Sequence, residues 1–193
     1  MLKKLFRTVA RSTGIEYSCF KIFILPLEES AGIPVLPEGY RFGEVTSNDV
    51  ARAADELIRK ESWYGGEGAL GFGVYRGTEL VCIQWVWYGE RYRTKRNFWP
   101  LEEGEAKSVQ LVTIPSERGK GLATQVKRFS AAGLRKRAFS RVYSRIWWNN
   151  YAAIRVSEKA GWRHIATVFE LRISSRSRPW RLVRRKTRQD VHQ

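Results

Sequence analysis

Val112-Thr113-Ile114-Pro115-Ser116-Glu117-Arg118-Gly119-Lys120-Gly121-Leu122-Ala123-Thr124 passes from a hydrophobic strand pattern into a helical one across a turn holding two glycines. A strand that runs through glycines straight into a helix builds an anion site. The first helical turn leaves backbone N–H groups without intrahelical partners, and the aligned peptide dipoles favour negative charge there. Glycines let a pyrophosphate approach the backbone closely. The Lys-Ser/Thr ending of a P-loop is absent, so this turn by itself is a weak signal.

A second segment stands further along: Asn149-Asn150-Tyr151-Ala152-Ala153-Ile154-Arg155-Val156-Ser157-Glu158-Lys159-Ala160-Gly161-Trp162. Together the two segments resemble the GNAT superfamily of acyl-CoA-dependent N-acyltransferases. Arg118-x-x-Gly121-x-Ala123 fits that family's cofactor signature. Asn150-x-x-Ala153 with Glu158-Lys159-Ala160-Gly161-Trp162 fits its second segment, in the expected order. The resemblance covers about Lys107 to Ile173, extends to Tyr40 through the order of elements, and is absent from residues 1–39 and the tail.

The resemblance implies an α/β fold with a mixed, mostly antiparallel sheet, helices on both faces and a splayed strand pair that holds acyl-CoA. It implies that Leu111, Val112 and Thr113 bind the pantetheine arm through their main chain. A strand amide near Val112 would polarise the thioester carbonyl. Arg118, Gly119, Lys120, Gly121, Leu122, Ala123 and Thr124 would form the pyrophosphate site, and Asn150 would touch the cofactor from the other side of the split. The activity implied is transfer of an acyl group, most simply acetyl, from acetyl-CoA to a primary amine on a small molecule or a protein. Against these roles stand plainer ones: a solvated charge pair for Arg118 and Lys120, and a helix cap for Asn150.

The chain departs from the family where protons must move. Many members place a tyrosine seven residues after the asparagine, where this chain has Ser157, a far poorer proton donor; Tyr151 and Tyr143 are the nearest substitutes. Where some members have a glutamate early in the strand, this chain has Lys107, with Glu105 and Gln110 as local alternatives. The candidate catalytic set is therefore Ser157, Glu105 and Tyr151. Trp63, Tyr64, Trp85, Trp87 and Tyr88 are candidates for an acceptor cleft, with core packing as the plainer role.

Outward from these segments, Phe20 to Leu25 reads as a strand and Pro26 to Gly39 as a loop. Tyr40 to Val45 reads as a strand, Asp49 to Lys60 as a helix capped by Ser47 or Asn48, and Leu70 to Tyr88 as a hairpin about Gly77. Gly89 to Glu105 reads as a polar loop. Strands follow at Lys107 to Ile114, Val142 to Trp148 and Trp162 to Ile173, with helices at Leu122 to Ala138 and Asn150 to Ala160. This organises the chain as an N-terminal basic helix, strand and loop (1–39), an acyltransferase domain (40–173) and an Arg-rich tail (174–193) that packs weakly.

The 193 residues suffice for one compact domain, and no apolar run is long enough to span a bilayer. Cys19 and Cys82 have no cysteine or histidine at metal-ligand spacing, so no metal site is expected and a reducing, cytoplasmic setting is. The formal charge of +16 comes from the second half: residues 106–193 carry 21 Lys/Arg against 4 Asp/Glu. Residues 1–12 form an amphipathic basic pattern suited to an anionic membrane surface, which would make the protein peripheral to it. Residues 172–188 interleave eight Arg/Lys with Trp180, a composition that grips phosphates and stacks on bases. The competing function is thus RNA or DNA binding on a GNAT scaffold that has lost its chemistry.

Overall fold

A computed structural model describes residues 16–29, 34–173 and 179–186; the basic pattern at residues 1–12 lies outside them. In chain order the elements are β1 (Glu16–Pro26), β2 (Tyr40–Val45), α1 (Ser47–Ala51), α2 (Glu56–Arg59), β3 (Ala69–Arg76), β4 (Glu79–Tyr88), α3 (Gly89–Lys95), β5 (Glu105–Thr113), α4 (Leu122–Arg135), β6 (Arg141–Trp147), α5 (Tyr151–Lys159), β7 (Arg163–Arg172) and β8 (Trp180–Arg185). The eight strands form one sheet in the order β2-β3-β4-β5-β6-β1-β7-β8. Every neighbouring pair is antiparallel except β5 and β6, which run parallel.

The β3–β4 hairpin forms where alternating apolar residues flank Gly77, whose φ of 58° suits a tight turn. Both alternating sets of β4 are buried because helices cover both faces. On one face α4 lies over Phe72 and Gln84, its Val126, Ser130 and Leu134 spaced four apart along the buried side. On the other face Trp85 and Trp87 are buried beneath α1, α2 and α3; Trp87 Nε1 donates to the Tyr64 carbonyl at 2.6 Å and Arg91 stacks on its ring. Gly71 admits Trp85: a Cβ there would lie 2.6 Å from the indole and 2.5 Å from the Val45 carbonyl oxygen.

The helix read over 49–60 is two short helices. Thr46 and Asp49 form a reciprocal capping box that starts α1. Asp55 then accepts from Leu57 N at 2.7 Å and starts α2, an alternative to helix continuation that aspartate offers the backbone. Arg59 donates to the Ala53 and Ala54 carbonyls that the break exposes. The loop read over 89–105 contains α3.

Two further differences concern the second half of the sheet. Strand β1, which precedes the segment resembling the family, sits inside the sheet between β6 and β7, with Ile22 and Phe23 fully buried. Part of the Arg-rich tail is β8, paired with β7 from Leu171↔Trp180 to Ala166↔Arg185. Its side chains are all exposed, so no apolar alternation announced it. Arg181 fastens it, binding Glu170 at 2.6 and 2.9 Å and stacking on Phe98.

Candidate functional site

The parallel ladder between β5 and β6 is four pairs long, from Glu105↔Arg141 to Ser108↔Ser144. Beyond it the strands part, although β5 continues to Thr113 on β4 and β6 continues to Trp147 on β1. The separation begins at an irregularity: Trp85 pairs with Gln110 and Val86 with Ser108, which leaves Val109 as an extra residue in β5. Such a bulge bends the strand and raises its twist, turning it away from β6. Leu111, Val112 and Thr113 therefore sit on a stretch with no ladder partner on the β6 side.

Below this stretch the chain makes a 3-10 turn at Pro115–Glu117 and enters α4 through Gly119 and Gly121, with φ of 79° and 80°. These are left-handed values that a side chain would strain. Gly121 is the N-cap and no side chain caps the helix, which leaves the first-turn N–H groups facing outward. Nothing lies within 4 Å of where a Cβ would stand on either glycine.

Glu117 fixes the turn. It is 1% exposed and accepts from Tyr40 Oη at 2.5 Å, Arg76 Nη1 at 2.5 Å and Lys120 Nζ at 2.9 Å. These bonds, from Tyr40 first and Lys120 next, hold its carboxyl below the usual carboxylate range. Lys120 is thereby engaged with Glu117 and Tyr40.

Across the gap stands α5, whose N-cap Asn150 accepts from Ala153 N at 3.1 Å. The capping role read for it is present. The same residue lines a groove of about 590 Å³ together with Leu111, Val112, Thr113, Arg118, Gly119, Gly121, Leu122, Ala123 and Thr124. Ten of the eleven predicted cofactor residues thus line one groove, and Lys120 stands apart.

The groove continues into the gap between β5 and β6, a space of about 160 Å³ lined by Ser108, Leu111, Lys127, Ser144, Asn150 and Ser157 among others. Ser157 is fully buried and its Oγ has no hydrogen-bond partner among the described residues. Lys127 on α4 is 2% exposed, equally without a hydrogen bond, and stacks 3.6 Å over Trp162. Burial lowers its ammonium to about 7.

On the far side a cavity of about 300 Å³ opens, sharing Ser108, Val109, Gln110, Arg145 and Trp147 with the gap. Its buried polar group is Lys107, 3% exposed, whose Nζ also has no partner among the described residues. Burial first, then the charges of Arg145 and Lys127, push its ammonium well below the ordinary lysine value. That lowering raises the share of the neutral amine, the form with a lone pair, at any given pH.

Two of the catalytic candidates lie elsewhere. Glu105 is buried at the start of β5, not in a loop, where it accepts from Tyr143 Oη at 3.0 Å and Arg141 Nη1 at 3.1 Å. It borders a different pocket. Tyr151 is 62% exposed on the outer side of α5. Of the aromatic candidates only Tyr64 reaches the cavity. Trp85 and Trp87 are core, and Trp63 is half exposed. The remaining walls come from β1, α3 with the segment after it, and β6, through Phe20, Tyr92, Phe98 and Trp147. Lys127 was missed, although a lysine between Val126 and Ala131 on an apolar helix face was a visible signal.

No protein-family model matches the sequence, and no curated protein matches it. Solved structures do match. A tandem GNAT protein from the clavulanic acid biosynthesis pathway superposes with a TM-score of 0.59 at 18% identity, over 86% of this chain and 57% of its own. A GCN5-related N-acetyltransferase from Kribbella flavida gives 0.57 at 12%, over 86% and 62%. The ribosomal-protein-S18-alanine N-acetyltransferase from Escherichia coli gives 0.51 at 16%, over 67% and 80%. The chain has the GNAT fold: a mixed, mostly antiparallel sheet with helices on both faces and one splayed parallel pair. It spans under two thirds of the length of the first structures it matches, 57% to 62% for the tandem and Kribbella flavida proteins.

Proposed function

We propose that this chain transfers an acyl group, most simply acetyl, from acyl-CoA to a primary amine. The observation that carries the reading is one continuous path. The glycine turn at the head of α4 opens onto the unpaired edge of β5, and that edge leads into a gap where buried Lys127 Nζ and Ser157 Oγ have no hydrogen-bond partner among the described residues. The residues fit the donor. The α4 N-terminus and its two glycines suit a pyrophosphate, and the β5 edge suits an amide-bearing arm. Bound there, acetyl-CoA supplies an activated acyl carbonyl on a thiol leaving group.

The chain's own residues divide the proton work. An attacking amine must be neutral, and as its nitrogen bonds the acyl carbon it gives up a proton, which the lone pair of Lys107 Nζ accepts. The carbon–sulfur bond breaks, and Lys127, near 7, is placed to return a proton to the departing thiolate while Ser157 Oγ donates a hydrogen bond to it. Titration calorimetry of the full chain with acetyl-CoA, followed by a CoA-release assay over a panel of amines, tests the reading. Binding with amine-dependent release is expected; absence of both overturns it.

A second reading rests on β8. Trp180, 60% exposed, begins the strand that Arg184 and Arg185 end, all of it exposed, a surface that suits a polyanion such as RNA or DNA. RNA binding that weakens steeply with salt, with no acetyl-CoA binding, would favour it.

A further inference from the structure

The cavity on the far side of the gap has a charge pattern that the transfer reaction does not require. Its lining holds Arg96, Lys107 and Arg145 and no Asp or Glu. Elsewhere in the molecule buried carboxylates are taken: Glu105 by Arg141, Glu117 by Arg76 and Lys120, Glu61 by Gln110. Glu170, whose charge Arg145 feels, is saturated by Arg181. Arg145 is half-buried and makes no ion pair among the described residues; its guanidinium carbon lies over the rings of Phe20 at 4.5 Å and Phe98 at 4.2 Å. Arg96, at the mouth, donates to Tyr64 Oη at 3.4 Å and stands over Trp63 and Trp87.

A guanidinium held over aromatic rings and without an ion-pair partner keeps N–H donors available, and those donors meet a carboxylate or phosphate in a paired geometry. Partly buried charges are costly unless something pairs them. The buried, unpartnered Lys107 Nζ shows that the cavity is built around a polar guest. We infer that the acceptor amine of this site also carries an anionic group, a carboxylate or a phosphate, seated on Arg145 and Arg96 with the amine turned toward Lys107. The apolar body of such a guest would rest on Phe20, Phe98 and Trp147.

This deepens, and rests on, the acyl-transfer reading, so the test separates the two. Matched probes are compared at fixed acetyl-CoA: tyramine against tyrosine for a carboxylate, and ethanolamine against phosphoethanolamine for a phosphate. The anionic member of at least one pair is expected to have a kcat/KM about tenfold or more above its neutral partner, the scale of one charge-assisted contact. R145Q, and separately the more exposed R96Q, should pull that ratio toward one, with the melting temperature confirming a folded chain. The pair that responds identifies the anion. Equal or better turnover of the neutral amines overturns the inference while leaving acyl transfer standing. If no amine releases CoA, calorimetry with the same four probes decides: preference for the anionic members sustains the cavity's selectivity without the chemistry, and no preference ends the inference, while acyl transfer is decided separately by acetyl-CoA binding and the wider amine panel.

Discussion

Burial, joined at Lys107 by the charges of Arg145 and Lys127, lowers both lysines from their ordinary value, which suits them to the proton transfers proposed above. Replacing Lys107 by methionine keeps the apolar stem and removes the lone pair. The rate of CoA release is expected to fall about 100-fold, in the range of losing a general base, with acetyl-CoA affinity held within about twofold. Because the neutral form is the active one, wild-type activity should climb with pH through the lowered Lys107 value, and this limb should vanish in K107M.

Lys127 has a stability signature. Its folded value of about 7 lies below the ordinary 10.5, so between those values the unfolded chain binds more protons and stability rises with pH. Below pH 7 both states are protonated and the cost of burying the charge is full. K127M should therefore raise the melting temperature most at pH 6, by about 5 °C or more, and the gain should shrink toward pH 10.

Glu117 runs the other way. Its carboxyl is held below the usual range, so its contribution is complete at neutral pH and disappears as pH falls through the folded value. E117Q should cost about 2 kcal/mol at pH 7, and the difference between variant and parent should close in acid. Lys107's state was not legible in the sequence, because its burial comes from the meeting of distant elements, whereas Lys127 at least stood on the apolar face of its helix. Glu117 gave no sign either, since its partners Tyr40 and Arg76 come from distant strands.

At the scale of elements, legibility followed local pattern. The strand, glycine turn and helix from Lys107 onward, and the Asn150 segment, were readable because each is made within one run of chain. The break between α1 and α2 was not, since Val50, Ala53, Leu57 and Ile58 keep helical spacing across it and the deciding bond is the Asp55 cap. The turn also allows a direct test. Gly121→Glu puts a side chain at φ 80° and a carboxylate into the groove. It should weaken acetyl-CoA at least 100-fold by calorimetry, while circular dichroism stays that of the parent. Gly121→Asn, which tolerates the left-handed backbone, separates strain from charge. If G121E binds as tightly as the parent, the turn is not the phosphate site.

For the whole molecule, the cavity proposed for the acceptor was the least legible part. Its walls come from β1, α3 and the segment after it, and β6, which the sequence reading spread between a strand outside the acyltransferase domain, a polar loop and a strand within it. The motifs that mark the donor groove carry no record of them. The basic second half was visible as charge, yet its arrangement, with β8 pairing and Arg145 and Arg181 stacked on one phenylalanine, is a product of the fold. The position of β1 bears on how the chain matures. Residues 16–26 pair in the sheet with β6 and β7, so during synthesis this apolar segment waits more than a hundred residues for either neighbour. Contacts that distant form late and slowly. Until they do, half of the sheet has no centre, and a nascent chain halted before residue 141 exposes Ile22, Phe23 and Leu25 to whatever else in its surroundings binds unpaired strands.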